Sequence, residues 1–292
     1  VTRWNDLSGN IRGILWVLLG AIMFTMTDVV VKTLGQTFDP LELGLFRYVV
    51  GMVLLTPVFL HMGAAELKTR RWGIHLLRMA LAFSAQLGIF ISVIYLDLAD
   101  ATAFFFSKPI FTTIFAILVL SEIVGLRRWI ATVTGFAGIL VIVRPGAESI
   151  DPVALIAIGA ALAFALANVL TRKMSDTEPP NRILFYYHLG GILIFAGPAA
   201  WVWRTPVGIE WVLLAATGAL TTAGMVCVVR AYSVGEANAV GPLEYVRLIY
   251  AAALGYYLFA EVPSIWTITG SLIIVASSLY IARDEARRSG GH

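Results

Sequence analysis

Ten runs of about 20 mostly apolar residues follow one another along this chain, at roughly 11–33, 41–62, 74–95, 101–120, 128–146, 152–172, 182–203, 208–230, 237–260 and 264–283. A helix of that length crosses about 30 Å of hydrocarbon. Inside hydrocarbon only helices and closed barrels satisfy their own backbone. No run alternates as a barrel strand does, so the sequence predicts an all-α integral membrane protein with ten transmembrane helices. The first run is too long for a cleaved signal peptide and lacks a small-residue cleavage site.

Composition excludes the competing classes. Of the residues, 59% are hydrophobic and 13% charged, against about 25% charged in a soluble domain. A pair of soluble domains, a disordered chain and a nucleic-acid binder are therefore not expected. The single Cys227 lies in an apolar run, so no intramolecular disulfide framework is expected either. The lipid bilayer is the expected environment.

Basic residues set the orientation. With the N-terminus inside, the cytoplasmic segments carry Arg3, Arg12, Lys68, Arg70, Arg71, Arg78, Arg127, Arg128, Arg172, Lys173, Arg182, Arg230, Arg283, Arg287 and Arg288. The other side keeps Lys32, Arg47, Arg144 and Arg204. This positive-inside bias predicts two cytoplasmic termini, as an even helix count requires.

Sliding the chain against itself by 139 residues aligns Trp72 with Trp211, Glu122 with Glu261, Arg144 with Arg283, and Leu45-Phe46-x-Tyr48 with Leu184-Phe185-x-Tyr187. The expected organisation is two five-helix repeats, residues 1–147 and 148–292. An odd helix count makes the second enter the membrane from the opposite side. Inverted repeats are typical of secondary transporters, with a substrate site near the midplane.

The chain resembles the drug/metabolite transporter superfamily, in its EamA-type members. The resemblance rests on the five-plus-five repeat and on the runs "FRYVVGMVLL", "SEIVGLRRW", "GFAGILVIVRPG" and "AEVPSIWTITGSLIIVASSLYI". It implies export of small metabolites, often amino acids, by alternating access across a bacterial inner membrane.

Charges within the apolar runs are the candidate site, because each is costly in hydrocarbon. Lys108 and Arg247 lie one repeat apart, near the middle of their runs, and beside Pro109 and Pro242. Interrupted helices in matching places of two halves point to a transporter site. In one reading Lys108 or Arg247 attracts a substrate carboxylate. In the other, Glu244 and Arg247 neutralise each other on one helical face. Glu244 is a partner for Lys108, a holder of a substrate amine, or a proton carrier. Asp28 and Lys32, at i and i+4, read as a local ion pair or as a gating or coupling pair. Arg47 reads as a snorkelling structural residue. His188 could titrate near neutrality or simply pack. Asn168 and Gln86 could bond a substrate or join helices. Phe104, Phe105 and Tyr245 flank the cations, which suits a ligand with a ring and a carboxylate.

No phosphate-binding loop, metal-ligand spacing or paired catalytic motif is present. Neither a cofactor nor an enzyme activity is expected. The expected partner is a zwitterionic or anionic small molecule. The alternatives are a sugar-phosphate or nucleotide-sugar exchanger and, further off, a lipid-modifying enzyme. A monomer and a homodimer both fit.

Overall fold

A computed structural model describes residues 8–61, 68–69, 71–120, 125–144, 151–175, 177–235 and 240–289. The described residues are helical, without strands. The helices are α1 (Gly9–Leu34), α2 (Pro40–Leu60), α3 (Trp72–Tyr95), α4 (Leu98–Phe105), α5 (Lys108–Leu120), α6 (Leu126–Val143), α7 (Pro152–Ser175), α8 (Pro180–Trp201) and α9 (Glu210–Val234). A 3₁₀ segment (Gly241–Tyr245) then leads into α10 (Val246–Phe259), and α11 is Ile265–Ser289.

Local chemistry sets the starts of these elements. Ser8 caps α1 by accepting from Ile11 N–H. Asp39 caps α2 by accepting from Leu41 N–H at 2.9 Å, and Pro40 supplies a preset first-turn φ. Hydroxyls within the helices bond their own backbone: Thr25 donates to Ala21 C=O at 2.8 Å and Thr221 to Thr217 C=O at 2.7 Å. Each polar group is thereby satisfied without water.

Seven described spans are long and apolar enough to cross a membrane, with α4 and α5 counted together as Leu98–Leu120. The other three of the ten expected runs hold shorter helices among the described residues. In α6 and α11 the apolar stretches among the described residues are Trp129–Val143 and Ile265–Tyr280. The ninth run is broken by the 3₁₀ segment, which leaves α10 with 14 residues.

Two pairs of helices that match in the 139-residue register, α2 with α8 and α6 with α11, pack on each other and run antiparallel. On α2 and α8, Gly44 lies against Phe195, Gly51 against His188 and Phe59 against Phe185. On α6 and α11, Ala131 C=O accepts from Ser277, and Gly138 lies against Gly270. The remaining major contacts exchange partners between halves: α1 packs on α9, and α3 on α7. Those pairs are antiparallel too. Gly13 meets Ala231 while Thr27 meets Thr221, and Arg78 meets Thr171 while Gly88 meets Ala160.

Both cation-bearing runs are interrupted. The turn Phe106–Ser107 separates α4 from α5 immediately before Lys108. In the other half, the 3₁₀ segment ends at Tyr245, two residues before Arg247. The repeat register superimposes these two breaks. They leave both cations at the start of a half-helix, beside the central cavity.

Candidate functional site

The cavity has a volume of about 350 Å³ and is walled by α1, α2, α3, the α4–α5 turn, α7, α8, α9 and the 3₁₀–α10 junction. A volume near the lower end of the small-molecule range, with apolar walls and few polar groups, is the usual form of a metabolite site. Five charged side chains reach its surface: Asp28, Arg47, Lys108, Glu244 and Arg247.

Lys108 opens α5. Its Nζ lies 4.7 Å from the ring centroid of Phe105 and 5.0 Å from that of Phe164. No described carboxylate comes within 4.0 Å of it. Two aromatic faces stabilise the ammonium but leave its donors open to a ligand.

Arg247 is held differently. Its guanidinium donates to Asp28 Oδ2 at 2.6 Å, an ion pair between α1 and α10, and lies over Phe24 and Phe105 at 5.4 Å each. Glu244 does not neutralise Arg247; it accepts from Tyr232 Oη at 2.6 Å, across to α9. The break at Gly241–Tyr245 removes the regular helical spacing that a Glu244–Arg247 pair requires.

Asp28 and Lys32 do not pair with each other either. Lys32 pairs with Glu261 and donates to Leu96 C=O. Glu261 also accepts from Leu98 N–H at 2.7 Å, which caps α4. Lys32 therefore lies outside the cavity lining, whereas Asp28 belongs to it.

Gln86 and Phe105 line the cavity as expected, but four other expected residues do not. Phe104 is 2% exposed and packs in an apolar cluster between helices. Tyr245 packs against Phe106, with centroids 4.8 Å apart and planes tilted by 42°. Asn168 is exposed on α7. His188 is buried between α2 and α8, with Nδ1 3.0 Å from Leu184 C=O. Phe104, Tyr245 and His188 each lie one position from a lining residue (Phe105, Glu244 and Tyr187), and one step turns a helical side chain by about 100°.

Sequence reasoning missed Arg47 and Tyr187 as site residues. Arg47 donates to Tyr187 Oη at 3.0 Å and lies over Tyr48 at 4.8 Å, on the cavity wall. Its signal was present: Arg47 is the variable position of the repeated Leu-Phe-x-Tyr motif, and Tyr187 is that motif's last residue. Thr27 and Thr221, whose hydroxyls lie 3.5 Å apart, were also missed. Among the described residues, no cluster of three His, Cys, Asp or Glu is arranged to hold a metal.

The sequence profile of the EamA-like transporter family matches residues 11–144 and again 152–283. The chain belongs to the EamA-like transporter family. The matches run from within α1 to the end of α6 and from α7 into α11, and the family identifies a transporter rather than an enzyme. Among curated relatives, the S-adenosylmethionine uptake transporter of Rickettsia felis is 31% identical over 284 residues, covering 97% of each chain. The riboflavin transporter of Vibrio cholerae is 29% identical, covering 96% of this chain and 95% of its own. The pseudopaline exporter of Pseudomonas aeruginosa is 28% identical, covering 94% of this chain and 96% of its own. A crystal structure of similar fold superposes with a TM-score of 0.64 at 18% identity, over 95% of this chain and 98% of the other.

Proposed function

We propose that this EamA-family transporter moves an amino-acid-like zwitterion bearing a planar ring. Lys108 is the observation that carries the reading: an ammonium on the cavity wall with aromatic rings beside it and no carboxylate partner. A substrate carboxylate meets Lys108, a substrate amine meets Glu244, and the ring lies among Phe24, Phe105, Phe164 and Tyr187. Aromatic amino acids fit this description, as does S-adenosylmethionine, which joins an α-amino acid to an adenine ring.

In this reading residues 1–147 and 148–292 are two inverted five-helix repeats that rock about the cavity in alternating access. The shorter α6, α10 and α11 complete the count of ten crossings, and both termini are cytoplasmic in an inner membrane. The antiparallel packing of α2 on α8 and of α6 on α11 supports the inversion. No direction of transport is assigned, because the relatives' names include an uptake transporter and an exporter. The charge arrangement also disfavours the sugar-phosphate alternative, since Asp28 occupies the second cation.

Counterflow in proteoliposomes tests the proposal, with tyrosine, phenylalanine, S-adenosylmethionine and riboflavin offered to preloaded vesicles. The expected result is saturable exchange of at least one amino-acid-bearing solute, lost when its carboxylate is amidated. Exchange confined to solutes without an α-amino acid group would overturn the substrate assignment.

A further inference from the structure

Two cations one repeat apart flank the same ring. Lys108 Nζ lies 4.7 Å from the Phe105 centroid, and the Arg247 guanidinium carbon lies 5.4 Å from it. Left alone, such a pair is a clamp for a doubly charged anion, because a phosphate accepts several charge-assisted bonds at once. It is not left alone. Asp28 holds the guanidinium at 2.6 Å, and the carboxylate is itself on the cavity wall.

The rest of the site does not replace what Asp28 removes. Arg47, on α2, is engaged with the Tyr187 hydroxyl and the Tyr48 ring. Glu244 is an acid and accepts from Tyr232. With every group in its ordinary charged form, three cations face two carboxylates. That balance suits a ligand whose anionic end carries a single charge.

Besides Asp28, the guanidinium meets the rings of Phe24 and Phe105. Its Nε–H is buried without an acceptor. Beside it lies a second chamber of about 20 Å³, lined in part by Arg247, Asp28, Ser92 and Thr102. Asp28 is thus the one hydrogen-bond acceptor of the guanidinium among the described residues, and the small chamber has room for about one water.

We propose that Asp28 is the specificity-determining residue of the cavity: by occupying Arg247 it makes the site select monoanionic and zwitterionic ligands over phosphate-bearing ones. The inference rests on the proposed role of the cavity as the substrate site, and it deepens that role. It implies that losing one carboxylate converts the site to the anion class it excludes.

Tyrosine and O-phosphotyrosine share a scaffold and differ by one phosphate, so they make a matched pair of probes, with inorganic phosphate as a third. Binding is measured by thermal shift and calorimetry on the full chain in nanodiscs. Wild type should favour tyrosine over O-phosphotyrosine. Asp28→Asn should move that preference toward the phosphorylated ligand by roughly tenfold or more, as expected for a gained charge-assisted bond, and should gain stabilisation by inorganic phosphate. Asp28→Asn combined with Arg247→Gln should lose both gains.

Should Asp28→Asn fold poorly, Asp28→Ser serves instead. Phosphate in the extraction buffer should then raise the folded yield of either variant, whereas a structural role alone would leave the yield unmoved. Phosphate binding gained by Asp28→Asn, with no tyrosine binding in wild type, would remove the zwitterion reading and keep this one. Variants that bind phosphate no better than wild type, or that are not rescued by it, would overturn it.

Discussion

Lys32 near the end of α1 is bound to Glu261 in the turn after α10, not to Asp28 one helical turn away on its own helix. Asp28 is turned toward Arg247 at the start of α10. Two residues four apart on α1 thus bind the beginning and the end of one short helix in the other half. Gly255 makes the outer contact possible, since a Cβ there would lie 2.6 Å from Glu261 Oε2. The same carboxylate caps α4 through Leu98 N–H, so α1, α4 and α10 are joined at one end of the cavity.

Removing either member of this buried pair has unequal costs. Lys32→Met leaves Glu261 without its cation, and unpairing a buried charge costs about 3–5 kcal/mol. Glu261→Gln keeps an acceptor for Leu98 N–H and should cost less. The double variant should be more stable than the sum of the two losses predicts. Denaturant unfolding in detergent micelles measures all three.

The contact between α6 and α11 depends on close backbone approach. A Cβ at Gly138 would lie 2.9 Å from the Gly270 carbonyl oxygen, an atom of the backbone that cannot swing aside. Small residues at such a crossing let membrane helices meet. Gly138→Leu should therefore destabilise the protein by about 1–3 kcal/mol through overpacking, whereas Gly73→Leu, in open space, should be near neutral by the same unfolding assay.

Acid should loosen the junction between α3 and α8. Glu178, in the connection between α7 and α8, accepts from Thr69 at 2.7 Å and from Arg182 at 2.8 Å. Burial by itself pushes the Glu178 carboxyl up, but these donors outweigh it and hold it below the ordinary 4.5. A lowered folded-state value means the stabilisation is present at neutral pH and shrinks below 4.5, disappearing as pH falls through the folded value. The acid limb of a stability–pH curve should flatten in Glu178→Gln.

Orientation is accessible to labelling. In a Cys227→Ser background, cysteines at Lys68 and Arg287 should react with a membrane-impermeant maleimide only after the cytoplasmic face is exposed. Reaction from outside the intact cell at either position would reverse the assigned topology.

Much of the fold could be read from the sequence because membrane insertion leaves a long, one-dimensional signal. Apolar length placed the helices, and rare residues such as Trp72, Trp211 and Tyr187 in a common register revealed the repeat. Lys108 and Arg247 were legible for a physical reason, since a charge in hydrocarbon needs a cause. Their partners were not. Asp28–Arg247 spans 219 residues and Lys32–Glu261 joins opposite halves, and helical spacing sees only partners three or four positions away. Helix rotation was equally hidden: Phe105 faces the cavity while Phe104, its neighbour, is buried in packing.

The central claim is that the Lys108 ammonium binds substrate rather than stabilising the fold. Lys108→Met keeps most of the apolar stem and its contact with Phe105 and Phe164 while removing the charge and donors. A charge-assisted hydrogen bond contributes about 1.5–3 kcal/mol, so substrate affinity should fall about 10- to 150-fold. Binding and proteoliposome exchange of the same purified variant decide the matter, with its unfolding midpoint as the control. Weakened binding and exchange at an unchanged midpoint is the predicted result. Unchanged binding and exchange in a folded Lys108→Met protein would contradict the account.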